Sequence, residues 1–308
     1  MQAKIDLFNR LEYLDATINK QFLIDNGIGI TEHNGIAQLL RKGVGIIAFN
    51  ILEDFIKKRT AEFLSEISTS GIQFSNLPES LQEASIQTVL SSLIFKSKIF
   101  KKNGEDWKSL IQDESFKIYS TKTSSFTLSN YSLVSSNSNI VHTEVSDVIK
   151  AFGIKGGWTT MGKVASSIGS GIPDLAQVFN NASNRRHSAA HDPTFQYEHS
   201  WLMEIKNDIL AISSSFDILL SARIRQIYSN YSIPVETHDI NVALNYRFLK
   251  KENNTDRYRE EKTLIPTRTV KIWDNLDNAI NLLKTRLKSK NEFLIIHNHL
   301  GKIHDWYT

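Results

Sequence analysis

From residue 36 the apolar residues Leu39, Leu40, Gly43, Ile46, Ile47, Ile51 and Phe55 recur at steps of three and four, a period that predicts one long amphipathic helix. Gly43 and Gly45 weaken such a helix unless another helix packs close to it there. A second helix is predicted after Pro78, with Leu81, Ser85, Val89, Leu93 and Ile94 on its buried side. Helical spacing returns over residues 145–152 and again after Trp158. Residues 173–190 start as a helix should, with Pro173 early and Asp174 in the first turn, where a carboxylate complements the dipole. Asp192-Pro193 ends it, because the residue before proline avoids the α region. The clearest helix follows Ser200, with Trp201, Ile205, Ile209, Ile212, Phe216, Leu219 and Ile224 in one stripe.

Beyond Pro234 the period changes. Ile240, Val242, Leu244, Tyr246 and Phe248 alternate with mostly polar neighbours, as in a half-buried strand. Residues 263–273 read as a second strand and 276–287 as a short helix, with Ile280, Leu283 and Leu287 in register. Residues 293–296 and 302–307 read as a hairpin closed around Asn298-His299-Leu300-Gly301. The expected organisation is mainly α: a helical bundle over residues 1–233, then a small α+β domain over 234–308. Residues 119–139, mostly Ser, Thr and Asn, are expected to form a loop or mobile excursion from the bundle.

At 308 residues and 41% hydrophobic content the chain is long enough for a sizeable core. A net charge of +3 makes it mildly basic, compatible with nucleic acid without establishing it. With no cysteine, disulfides and thiolate zinc sites are excluded. Residues 1–6 carry no basic region followed by an apolar core, and no run of eighteen apolar residues occurs, so a soluble cytoplasmic protein without membrane contact is expected.

The chemistry concentrates in Arg186-His187-Ser188-Ala189-Ala190-His191, which precedes Asp192-Pro193. Arg keeps its charge and forks onto phosphate oxygens, while His takes or gives a proton near neutrality. Such a pair in one cleft suits cleavage of a phosphodiester. On an ideal helix, however, positions five apart point about 140° from each other. A frayed helix end at His191 would relax that objection.

These residues and their setting resemble the HEPN superfamily, whose ribonuclease members carry Arg, usually followed by Asn, then His after four to six intervening residues. Residues 172–227 hold the motif helix and its successor. Residues 33–60, with Ile36-Ala37-Gln38-Leu39-Leu40-Arg41 and Phe49-Asn50-Ile51-Leu52-Glu53-Asp54-Phe55, look like the early helix of the same bundle. The chain is most similar to the RiboL-PSP branch, and departs from the pattern in having His187 where Asn is usual.

The resemblance implies a metal-independent endoribonuclease without cofactor, acting on RNA as a homodimer in which both motif copies line one cleft. Arg186 and His191 would be catalytic, His187 and Asn184 supporting, and Arg185 an RNA contact. It further implies a toxin or antiviral effector, held silent by a regulatory or antitoxin protein. Glu53 could orient Arg186 or His191 from the early helix, or simply pair with a neighbouring cation or face water. The alternative to an enzyme is a non-catalytic module that binds RNA or protein.

Other patterns carry less. His187 and His191 have the spacing of two zinc ligands, but Ser188 stands where a metalloprotease has its general base, so no metal is expected. Residues 157–164 nearly spell a phosphate loop, yet Val164 occupies the magnesium-binding position, and a helix-to-helix turn is expected instead. His297, His299 and His304 cluster in the last hairpin, as metal ligands or as solvated residues. Residues 250–290 hold eleven Lys or Arg against six Asp or Glu, an excess suited to phosphate or to an acidic partner.

Overall fold

A computed structural model describes residues 1–134, 139–265 and 268–308. The chain is mainly helical and ends in a small sheet, as the change of period predicts. Its helices are α1 (Gln2–Ile18), α2 (Thr31–Ser68), α3 (Glu79–Glu83), α4 (Val89–Asn103), α5 (Trp107–Ser120), α6 (His142–Ala151), α7 (Trp158–Ser167), α8 (Leu175–His191), α9 (His199–Ser229) and α10 (Leu276–Lys290). The strands are β1 (Asn245–Lys251), β2 (Tyr258–Glu261), β3 (Lys271–Trp273), β4 (Glu292–His297) and β5 (Ile303–Tyr307), in the spatial order β3-β2-β1-β4-β5. Two compact units result. One holds residues 1–56, 161–216 and 246–308, the other 57–160 and 217–245. This division does not coincide with the boundary at 233/234 expected from the sequence.

In the first unit, β4 is buried on both faces. Leu249, Leu294 and Ile296 meet Ile280, Leu283 and Leu287 of α10. From the opposite face Trp306, fully buried, packs 5.5 Å from Phe8 of α1 and 6.3 Å from Phe55 of α2. Lys4 of α1 donates to the Trp306 carbonyl and pairs with Asp305 at 2.7 Å. The final hairpin closes as predicted: Gly301 takes a left-handed φ of 73°, and the Asn298 side chain accepts the N–H groups of Leu300 and Lys302.

Two expected strands are displaced. Residues 240–243 form a 3-10 turn, and β1 starts only at Asn245. Of the predicted strand 263–273 only Lys271–Trp273 is strand, and Pro266 and Thr267 of that stretch lie outside the described residues. The cause is a buried ionic layer that breaks the polar/apolar alternation. Arg247 bonds Glu260 at 3.2 Å and Glu292 at 2.7 Å, and Trp273 Nε1–H donates to Glu260.

The second unit is built around buried Arg59 on α2, which bonds Asp217 at 2.8 Å and Glu62 and Glu66 at 2.9 Å, and lies 3.7 Å over the Phe63 ring. In α9, buried Arg223 donates to the carbonyls of Gly153, Val235 and His238. Burial without a bonded carboxylate lowers its pKa to about 10. Between α3 and α4 the helix widens into a π turn over Ala84–Thr88, which rotates the face that follows. Leu81, Ser85, Val89 and Leu93 are buried as expected, whereas Ile94 is exposed. The polar excursion is a loop over residues 121–134, anchored by Phe126 against Phe74 and by the Leu128 N–H on Ser68 Oγ. Residues 135–138 of that expected excursion lie outside the described residues.

Candidate functional site on the motif helix

The helix α8 forms where the sequence predicts it. Asp174 caps its start by accepting the Gln177 N–H at 2.9 Å. Leu175, Phe179 and Ala182 make its buried side, and Phe179 meets Phe49 of α2 with ring centres 5.5 Å apart. Arg186 lies seven residues beyond Phe179, close to two turns, and so continues that inward side. Its Nε is buried with no hydrogen-bond partner, which leaves a charged donor turned inward without an acceptor.

α8 stays helical through His191, so the frayed end that would relax the objection does not form. Within one chain Arg186 and His191 therefore diverge by about 140°. The residue that joins His191 is His187, their rings 4.7 Å apart on the exposed side of the helix. Asn184 is exposed as well. Arg185 is half-buried and lies 4.2 Å over the Trp201 ring of α9, a cation–π contact that holds it between two helices. Glu53 is buried on α2, one turn from Phe49, and Asp54 beside it pairs with Arg10 at 2.6 Å.

The turn after α8 is held tightly. Asp192 accepts both the N–H and the hydroxyl of Thr194, at 2.8 and 2.7 Å, and these bonds hold its carboxyl below the usual range. Lys42 of α2 donates to the carbonyls of Asp192 and Pro193 at 3.1 and 2.9 Å, and Gln38 bonds Gln196. Tyr197 then lies directly on Gly45, where any Cβ would fall 2.7 Å from its hydroxyl oxygen and nearer still to the ring. The close approach expected at these glycines is made at Gly45 by an aromatic ring, while Gly43 faces open space. The other apolar positions of that stretch divide. Ile51 and Phe55 are buried, but Ile36, Leu39, Leu40 and Ile47 form an exposed stripe with Gly43.

One group escaped the sequence reading. Asp208, on α9, has its pKa pushed up to about 6 by burial and by Glu204, against the opposing charges of Arg185 and Lys302. Its signal was an acid set among Ile205, Ile209 and Ile212 on the apolar stripe. Other candidates separate in the structure. His297 is buried and bonds the Ile168 carbonyl at 2.8 Å, whereas His299 and His304 are exposed, so the three do not gather. Gly156 and Gly157, both with left-handed φ, make the turn into α7.

The family model RiboL-PSP-HEPN matches residues 6–222. The chain belongs to the HEPN superfamily. The HEPN match spans α1 to α9 and includes the whole motif helix, and the family as a whole points to nuclease or RNA-binding function. No curated protein and no solved structure matches significantly. By length and composition α2 of this HEPN chain is apolar enough to cross a membrane, but half of its most apolar stretch is buried. It also carries buried Arg41, Lys42, Glu53 and Arg59, which mark it as a core helix of the bundle.

Proposed function

We propose that this HEPN protein is a metal-independent endoribonuclease that acts as a homodimer. The observation that carries the reading is Arg186, the motif cation, whose buried Nε–H lacks an acceptor on the helix that also presents His191. A scissile phosphate would supply that acceptor. His191 would take the proton of the RNA 2'-hydroxyl. The 2'-oxygen attacks phosphorus, the bond to the 5'-oxygen breaks, and a protonated imidazole returns a proton to that leaving oxygen. The products are a 2',3'-cyclic phosphate and a 5'-hydroxyl. His187, its ring 4.7 Å from that of His191, would share the proton or contact the phosphate, with Asn184 and Arg185 as further RNA contacts and Glu53 as a supporting residue.

Divergence of Arg186 and His191 within one helix favours the rival reading, a non-catalytic module that binds RNA or protein. A dimer resolves it, because two motif helices meeting at a two-fold axis offer one phosphate the Arg of one copy and the His of the other. The exposed stripe of Ile36, Leu39, Leu40 and Ile47 supports such pairing. It lies on the same helix as Gln38 and Lys42, which hold the turn after His191. A toxin or defence role in the cytoplasm, under control of a partner protein, completes the reading.

The test is an RNA cleavage assay in excess EDTA with wild type, His191→Ala and Arg186→Ala. Cleavage to cyclic phosphate ends is expected for wild type, with a loss of about a hundredfold or more in each variant. RNA binding without cleavage by wild type would establish the non-catalytic reading.

A further inference from the structure

Beside strands β2, β1 and β4 the first unit holds a cavity of about 400 Å³ that the motif does not use, with Lys250, Lys251, Arg259, Leu264, His297 and His299 among its lining residues. Its cations are not equivalent. Lys250 is committed to the protein, since it pairs with buried Glu261 at 2.7 Å and donates to the Leu264 carbonyl. Lys251 and Arg259 are held loosely. Lys251 meets Asp256, which is almost fully exposed, at 3.3 Å, and Arg259 meets Glu252 at 3.6 Å and Glu261 only at 4.0 Å. Pairs so open to water contribute little and exchange readily for a phosphate.

The opposite wall differs in chemistry. His297 is 1% exposed and packs 5.7 Å from the Phe248 ring. Its Nε2 must carry the proton, because it bonds the Ile168 carbonyl at 2.8 Å. Burial depresses its pKa, which keeps the ring neutral at pH 7. Nδ1 is then an acceptor, the ring nitrogen left to meet a ligand, and it suits a ribose hydroxyl or a base N–H rather than an anion. Gly169, with φ 77°, keeps this wall thin, because a Cβ there would strike Leu264 at 2.6 Å and His297 at 3.2 Å. Glu252, Asn253 and Asn298 also line the cavity, and loosely paired cations together with Leu264 and the His297 acceptor match a phosphate joined to a sugar and base.

We propose that this cavity binds a nucleoside phosphate, with the phosphate on Lys251 and Arg259 and the ribose or base against His297 and Leu264. Two sources share this chemistry, a free nucleotide and the phosphorylated end of an RNA strand. This goes beyond the cleavage reading. Binding is measured without turnover, so it stands or falls apart from whether Arg186 and His191 cut RNA.

Calorimetric titration of the full chain with AMP, UMP, inorganic phosphate, and a short 2'-O-methylated oligonucleotide with or without a 5'-phosphate provides the test. Nucleoside monophosphates are expected to bind more tightly than inorganic phosphate, and Lys251→Ala/Arg259→Ala to bind them about tenfold or more weakly. Binding of the monophosphates identifies a free nucleotide as the source, and binding of the phosphorylated oligonucleotide alone identifies an RNA end. Lys251→Glu, at a partly exposed position, repeats the loss should the double variant misfold. Absence of binding by every probe, affinity unchanged in the variants, or inorganic phosphate binding as tightly as the tightest of the monophosphates and the phosphorylated oligonucleotide would overturn the proposal.

Discussion

A methyl group placed on Gly45 tests how the motif helix is held. In Gly45→Ala the new carbon falls 2.7 Å from the Tyr197 oxygen and closer to two ring carbons, so the ring must retreat by about 1 Å to restore ordinary contact. Tyr197 has no free space to enter. It is 1% exposed and packed edge-on against Phe195 and Trp201, with ring centres 6.0 and 5.7 Å away. Replacing glycine by alanine inside a helix stabilises by about 1 kcal/mol, but overpacking a filled core costs about 1–3 kcal/mol. With aromatic rings on two sides the upper part of that range applies, and the net loss should be about 1–2 kcal/mol, or about 2–4 °C in Tm. Gly162→Ala in α7 is the control, because nothing lies within 4 Å of its Cβ, and it should gain about 0.5–1 kcal/mol. Urea and thermal unfolding followed by circular dichroism measure both. Equal stabilisation by the two substitutions would refute the packing argument. Trp201 carries Arg185, so Gly45→Ala should also weaken RNA binding.

Asp208→Asn should change the pH dependence of stability. The folded pKa of about 6 lies above the unfolded value of 3.8, so the ionised carboxylate destabilises the native state above pH 6 and that penalty vanishes as pH falls towards 4. The variant should be more stable than wild type by ~1–2 kcal/mol at pH 8, allowing for partial exposure, with the gain lost by pH 4 in urea titrations. Light scattering should give about twice the 35.1 kDa chain mass, and Leu39→Asp, on the exposed stripe, should give a folded but inactive monomer; an active monomer would contradict the shared cleft. A chain ending at Ile233 loses Trp306 from its place beside Phe8 and Phe55 and is expected to be insoluble, whereas a soluble helical protein would establish residues 234–308 as a separately folding module.

Long helices were legible because their burial is one-sided: the stripe from Trp201 to Ile224 and the Asp192-Pro193 stop lie where the period puts them. The hairpin around Asn298–Gly301 was legible through its turn residues. What failed was the inference from apolar to buried. Leu39 and Ile47 share the helical period of α2 yet face water, while Arg59, Arg247 and Glu260 are interior, and no local pattern announces a charge whose partner is far along the chain. α1 and α5 went unread because their apolar positions are sparse and mixed with charges. In the site, the sequence carried the identity of Arg186 and His191 but not their divergence, which depends on whether the last turn of α8 frays.

The clamp of Lys42 on Asp192 and Pro193 has a consequence for inhibition. The exposed stripe and the clamp occupy one helix, so a molecule seated on Ile36, Leu39 and Ile47 lies on the element whose Lys42 holds the end of α8. A ligand that favoured one arrangement of this clamp over another would couple the stripe to the end of α8, and such coupling runs in both directions with equal strength. On the proposed nuclease reading, in which the stripe is the dimer face, a small protein or peptide competing for it would silence the imidazole from the outer side of α2 without approaching it, and RNA bound to the dimer would weaken that silencer by the same factor.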